Sequence, residues 1–317
     1  MVSTCMAASS KEESAKAPLK DDKDLQENDI ESNVVCCWGY SAAWRGLPAC
    51  SAPSWTVRPY IHWGYRDHLT FKECLESLAY CHNEVGNIYT HLTASILFLV
   101  LLANDSMRND LNSHHRAVAV LYDLASIVCL VSSGIFHLLG PVSKSVYENT
   151  LKLDMTGIAC VIVASFLVGI HYGYWCHPAL GQAYFWIIAC LSLVAMSWPH
   201  VPWLFHNFNA SVVFFACFVA FALVPLLHWV HLVGGPSSEQ ALLFFYKLLL
   251  TMFAYFLGFL FYITRFPEKK FIGRFDFVLH SHQLWHICVV IGQLLFYWAM
   301  STYARYRMEN SCPITPQ

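Results

Sequence analysis

The chain has 317 residues, 56% of them hydrophobic and 13% charged, with a mean hydropathy of +0.44. Such a composition excludes a water-soluble globule. A net charge of −2 excludes the broad basic field that nucleic-acid binding requires, so a membrane protein remains.

Residues 1–57 read as a polar tail, charge-rich at Lys11-Glu12-Glu13 and from Lys20 to Asp24. It lacks the apolar core of a cleavable signal and is expected to be disordered and cytosolic, available to cytosolic partners. Cys36 and Cys37 offer a palmitoylation site. The thirteen cysteines include no CxxC pair, and Cys129, Cys160, Cys190, Cys217 and Cys288, which lie in apolar blocks, are read as small buried hydrophobes.

The membrane domain is expected over 58–301. Its first stretch, 58–85, mixes Arg58, Arg66, Lys72 and Glu73 with aromatic residues and reads as an interfacial helix. Seven apolar blocks follow at roughly 87–104, 117–139, 154–174, 181–199, 209–229, 241–264 and 280–301. Each is near the ~20 residues that span a hydrocarbon core. Asn104-Asp105, Gly140-Pro141, His177-Pro178, Gly234-Gly235-Pro236 and Pro267 punctuate them. The fold class is therefore an all-α, seven-transmembrane-helix bundle, with 302–317 as a short outer tail.

Lysine and arginine set the orientation. Arg58, Arg66, Lys72, Lys144, Lys152, Arg265, Lys269, Lys270 and Arg274 fall on one side; Arg108, Arg116, Arg305 and Arg307 fall on the other, where Lys247 can snorkel. The richer side is cytosolic, so the N-terminus lies inside and the C-terminus outside or in a lumen. Seven spans make an integral, multi-pass protein of the plasma membrane, Golgi or endoplasmic reticulum.

With that orientation three polar groups meet at one depth, near the inner leaflet. Ser133 and His137 close the second span, Asp154 opens the third, and His282 and His286 open the seventh. His282 and His286 are one helical turn apart and share a face. A helix offers two imidazoles to zinc at that spacing, but the intervening residues lack the Glu of an HExxH protease. His137 supplies a third nitrogen, leaving a fourth position for water, whose pKa a zinc ion lowers to about 7. Asp154 is either a fourth ligand or the group that holds and deprotonates that water. Ser133, a turn before His137, can bond the water or polarise a substrate carbonyl. Zn2+ suits a histidine-rich site with no redox partner better than iron or copper.

Glu84, Asn87, Thr90 and His91 recur at helical spacing at the mouth of the first span. They either buttress the metal from behind or cap and pack the helix, and the sequence alone favours capping. Asp123 is the one acid well inside an apolar block, which makes it either a functional candidate by default or a group that hydrogen-bonds a neighbouring helix. His114, His115, His228 and His231 fall in or near outer connections and read as solvated. His280 faces away from His282 and is not a ligand.

The same residues carry a likeness. The stretch from Glu84 to His91, Leu153-Asp154-Met155-Thr156-Gly157-Ile158, and Ser281-His282-Gln283-Leu284-Trp285-His286 resemble the three signature motifs of the progestin and adipoQ receptor family. Phe136-His137, seventeen residues before Asp154, and Arg274-Phe275-Asp276 are similar to the adiponectin receptors in spacing. Met155 departs from the Tyr that many members carry there. The resemblance implies a seven-helix receptor with a cytosolic N-terminus and zinc on His137, His282 and His286, which Asp154 reaches directly or through water. Through the related alkaline ceramidases it implies hydrolysis of ceramide-like amides.

Two functions follow as expectations. One is a receptor with a zinc-dependent lipid amidohydrolase centre acting on a ceramide-like membrane lipid. The other is a non-enzymatic receptor or scaffold for a lipid or protein ligand, with a structural zinc. A channel lacks a row of charged residues and a pair of broken helices.

Overall fold

The computed structural model describes residues 46–108 and 113–312; Cys36, Cys37 and most of the expected tail lie outside them. Ten α-helices are described: α1 Phe71–Glu76, α2 Val85–Met107, α3 Ser113–Leu139, α4 Lys144–Gly173, α5 Pro178–Ser197, α6 Pro202–Phe205, α7 Phe208–Ala220, α8 Leu223–Leu232, α9 Glu239–Thr264 and α10 Ser281–Glu309. Among the described residues there is one isolated β-bridge, between Leu47 and Tyr65. Seven segments are long and apolar enough to span a membrane, with α5 extended to His200 and α7 and α8 together forming the fifth.

Local chemistry sets the ends. Ser143, Asn207 and Ser238 cap α4, α7 and α9, each side chain accepting from the amide three residues on. Pro178 opens α5 at a position where its missing N–H costs nothing. The fifth span is broken between Ala220 and Leu223. Pro225 explains the break, because it cannot donate to the carbonyl four residues back.

The stretch 58–85, expected as an interfacial helix, is mostly irregular. It contains only α1, closed by a capping box between Thr70 and Glu73, and a 3-10 turn at Ser77–Ala79. Tyr60 and Gly64 sit at positive φ, and Pro59 restricts Arg58 before it, so no helix can run through. The segment instead folds over one end of the bundle. Trp55 Nε1 donates to Gly140 O at 3.1 Å. Arg66 donates to the carbonyls of His137 and Leu138 at 2.5 and 2.9 Å, satisfying acceptors that the end of α3 leaves open.

Helix α10 is the pillar, packed on α2, α3, α4 and most of all α9. By contrast α5 buries little beyond Ile188 and Ala195, and Leu193, Trp203 and Val213 project outward as lipid-facing residues do. Small residues allow the close crossings. A Cβ on Gly258 would stand 2.7 Å from Cys288 Cβ, and one on Gly157 2.9 Å from Cys129 Cα.

Candidate metal centre

The last turn of α3 and the first two turns of α10 meet where α10 enters the bundle. His137, His282 and His286 converge there, one ring nitrogen from each within 4.8 Å of the others, and this group can hold a metal ion. His137 Nε2 lies 3.3 Å from His282 Nε2. The ring centres of His137 and His286 are 4.8 Å apart.

The back of the site fixes which nitrogens point inward. His137 Nδ1 bonds Glu84 Oε2 at 2.8 Å, leaving Nε2 for the centre. His286 Nδ1 lies 3.2 Å from the Asn87 carbonyl and 3.4 Å from Thr90 Oγ1, and the carbonyl requires an N–H there, so Nε2 is again the free acceptor. A ligand set made ready in this way, with the distal nitrogens tied to carboxylate and carbonyl, is what metal-bound histidines use. The three imidazoles thus fit a divalent transition-metal ion.

Glu84 is itself held. Arg58 Nε donates to its Oε1 at 2.7 Å, and Asn87 Nδ2 donates to its other oxygen. Burial opposes its charge, but Arg58 and then His137 more than compensate, holding the carboxyl well below the usual carboxylate range. A cavity of ≈ 20 Å³ lies behind His137 between Arg58, Tyr65, Glu84 and Tyr147, room for one water. His91 stacks face to face on His286, ring centres 3.7 Å apart.

The sequence favours capping and packing for Glu84, Asn87, Thr90 and His91; the structure sets them against the His137 and His286 rings. Glu84 stands at the N-cap of α2 yet makes no capping bond. The signal available in the sequence was one acid three residues before Asn87, which a cap would produce equally well. His280 stands at the N-cap position of α10 without a capping bond and turns to Asn83 O at 3.0 Å, away from the centre. His115, expected in solvent, is buried and stacks on Tyr172 and Trp175 at 5.4 and 5.2 Å. His228 bonds the Tyr184 hydroxyl at 2.8 Å.

Ser133 and Asp154 stand beside each other on α3 and α4. Both are buried, and Asp154 is not among the three-imidazole group. Ser133 is one turn from His137 on α3, so the pair lies deeper in the bundle than His137.

Fold and site together define a multi-pass membrane protein with a three-histidine metal pocket at one end of a seven-helix bundle. Residues 79–297 match the family described as haemolysin-III related. The chain is 32% identical to "Progestin and adipoQ receptor-like protein 1" of Caenorhabditis elegans, over 93% of this chain and 70% of that protein. It is 30% identical to "Adiponectin receptor protein" of Drosophila melanogaster, over 87% and 64%. With "Progestin and adipoQ receptor family member 3" of Homo sapiens it shares 31% identity, over 80% and 84%. The chain thus spans slightly less than two thirds of the Drosophila protein's length. It belongs to the haemolysin-III-related, progestin and adipoQ receptor family, and is adiponectin-receptor-like.

Proposed function

We propose that this protein is a zinc-containing receptor-type membrane protein that hydrolyses a ceramide-like lipid amide. The observation that carries the reading is the convergence of three imidazole nitrogens, those of His137 and His286 turned inward by a partner behind the ring, with the buried Ser133–Asp154 pair one turn from His137. Bound there, zinc supplies a Lewis acid and a water of pKa about 7. The chain's own residues do the rest. His137, His282 and His286 would hold the metal, and Ser133 and Asp154 would serve the reacting amide. Asp154 takes the proton from the attacking water and returns it to the departing amine. Ser133 Oγ donates to the carbonyl oxygen as charge develops there. A site inside a helix bundle lets the amide enter while acyl chains remain in lipid.

We place the centre at the inner leaflet, with the N-terminus in the cytosol. The Cys176–Cys312 disulfide supports this. It joins the far end of α4 to the chain after α10, at the end of the bundle opposite the histidines, and disulfides persist on the oxidising side of a membrane.

The test is fatty-acid release from ceramide by purified protein of known zinc content. Wild type releases it and His286→Ala does not. Asp154→Asn keeps its zinc and loses turnover by about 10²–10⁴-fold, the range of general acid–base catalysis. A folded, zinc-loaded wild type that releases nothing overturns the hydrolase, leaving the zinc as a clasp between α3 and α10 in a non-enzymatic receptor.

A further inference from the structure

A second polar group lies in the other half of the bundle, where α2, α3 and α10 meet. Asp123 sits fourteen residues before His137 on α3, about 21 Å along the helix at 1.5 Å per residue. It is fully buried, and neither of its carboxylate oxygens has a hydrogen-bond partner. Ser126, one turn further along, and Gln293 on α10 are fully buried, and their side chains make no hydrogen bond of ordinary geometry, with Tyr122 and Cys129 respectively close enough to interact.

The neighbouring contacts bring these groups together. Tyr122 donates to the main-chain oxygen of Gln293 at 2.9 Å, which seats the Asp123 turn of α3 against α10. One turn on from Gln293, Tyr297 donates to Asp105 Oδ2 of α2 at 3.0 Å. Asp123 is within electrostatic reach of both Asp105 and Tyr297.

The charges differ in a way that points to an occupant. Asp105 has Arg108 at 3.6 Å on its other oxygen and a hydroxyl on the first, so its charge is answered. Asp123 makes no ion pair among the described residues. An unanswered carboxylate in a membrane interior is expensive, and three further neutral polar atoms, on Ser126 and Gln293, lack an ordinary hydrogen bond. The available donors, from carboxylate, hydroxyl and amide, are all hard oxygens, unlike the imidazoles of the zinc centre, and they suit alkali or alkaline-earth ions. A divalent ion would convert one buried negative charge into one buried positive charge. A monovalent ion leaves none.

We propose that Asp123, Ser126 and Gln293, with the Tyr297–Asp105 pair at the rim, form a second cation site that binds an alkali metal ion with a few waters. The site is separate from the histidine centre and does not depend on the catalytic reading above. It ties α3 to α10 in the half of the bundle that the histidines do not reach.

The test is thermal unfolding of the purified full-length protein in sodium, potassium or choline chloride at equal ionic strength. Wild type melts several degrees higher in a saturating alkali salt than in choline, as a ligand specific to the native state requires. Asp123→Asn loses that difference while its midpoint in choline is at or above the wild-type value and its zinc content is unchanged. Gln293→Leu shifts the half-saturating salt concentration at least severalfold upward. Equal wild-type midpoints in the three salts overturn the proposal, and Asp123 then carries a proton. So does an alkali-dependent rise that survives Asp123→Asn, or a rise produced by micromolar calcium alone.

Discussion

At the scale of single residues the centre is decided by what stands behind the histidines. Glu84 accepts from His137 and Asn87 and is itself neutralised by Arg58. Glu84→Gln retains the shape but removes the charge that orients and enriches the imidazole. Zinc affinity should fall about 10–100-fold, the usual cost of losing such a partner, as read by competition with a chromogenic chelator. An unchanged affinity would make Glu84 a packing residue after all. The three-histidine cluster was legible in the sequence, because two imidazoles one turn apart and a third at matching depth have few uses inside lipid. Glu84 was not. A carboxylate at the start of a helix is also what a cap looks like, and only its distance to a ring nitrogen on another helix separates the two.

At the scale of helices the apolar blocks located every span, yet their ends were blurred. Helix α4 begins at Lys144, ten residues before the expected start at 154, because Ser143 caps it and its first turns are too polar to register as membrane. Helix α10 runs to Glu309 for the converse reason, its last turns carrying Arg305 and Arg307 beyond the apolar block. Hydropathy marks where lipid begins, whereas capping marks where the helix begins. What no apolar pattern could reveal is how closely two helices cross. Gly157 lies against Cys129 Cα and Ser132 Oγ, 2.9 and 3.0 Å from the place a Cβ would take. Backbone cannot swing aside as a side-chain tip can. Gly157→Ala should therefore lever α4 from α3, lowering stability by about 1–3 kcal/mol. Because Asp154 is one turn away on α4, ceramide turnover should fall with zinc retained. A variant with wild-type melting and turnover would mean that the crossing tolerates a methyl group.

At the scale of the whole molecule the two ends of the bundle are fastened by different chemistry. At one end imidazoles, Glu84 and Arg58 gather under a leading segment that Arg66 pins to the last carbonyls of α3. At the other, Cys176 and Cys312 are bonded with Cα atoms 5.4 Å apart, and Arg307 reaches Cys176 Sγ at 3.3 Å and the Tyr303 hydroxyl at 2.7 Å. The sequence offered thirteen cysteines and no pattern to pair them, since these two are separated by 136 residues and only the folded bundle brings them together. Their pairing turns topology into something measurable. A thiol held reduced by the cytosol would not stay paired, so the orientation proposed above expects the disulfide on the outer side and the histidines on the inner. In intact cells carrying the protein at their surface, a membrane-impermeant reductant followed by an impermeant maleimide should label the wild type, and Cys176→Ser/Cys312→Ser should lose that increment. An epitope at the N-terminus should be reached only after permeabilisation. Labelling that itself requires permeabilisation, with the N-terminal epitope open to the medium, would invert the protein and move the metal centre to the outer leaflet, where any lipid substrate would have to be drawn from the other monolayer.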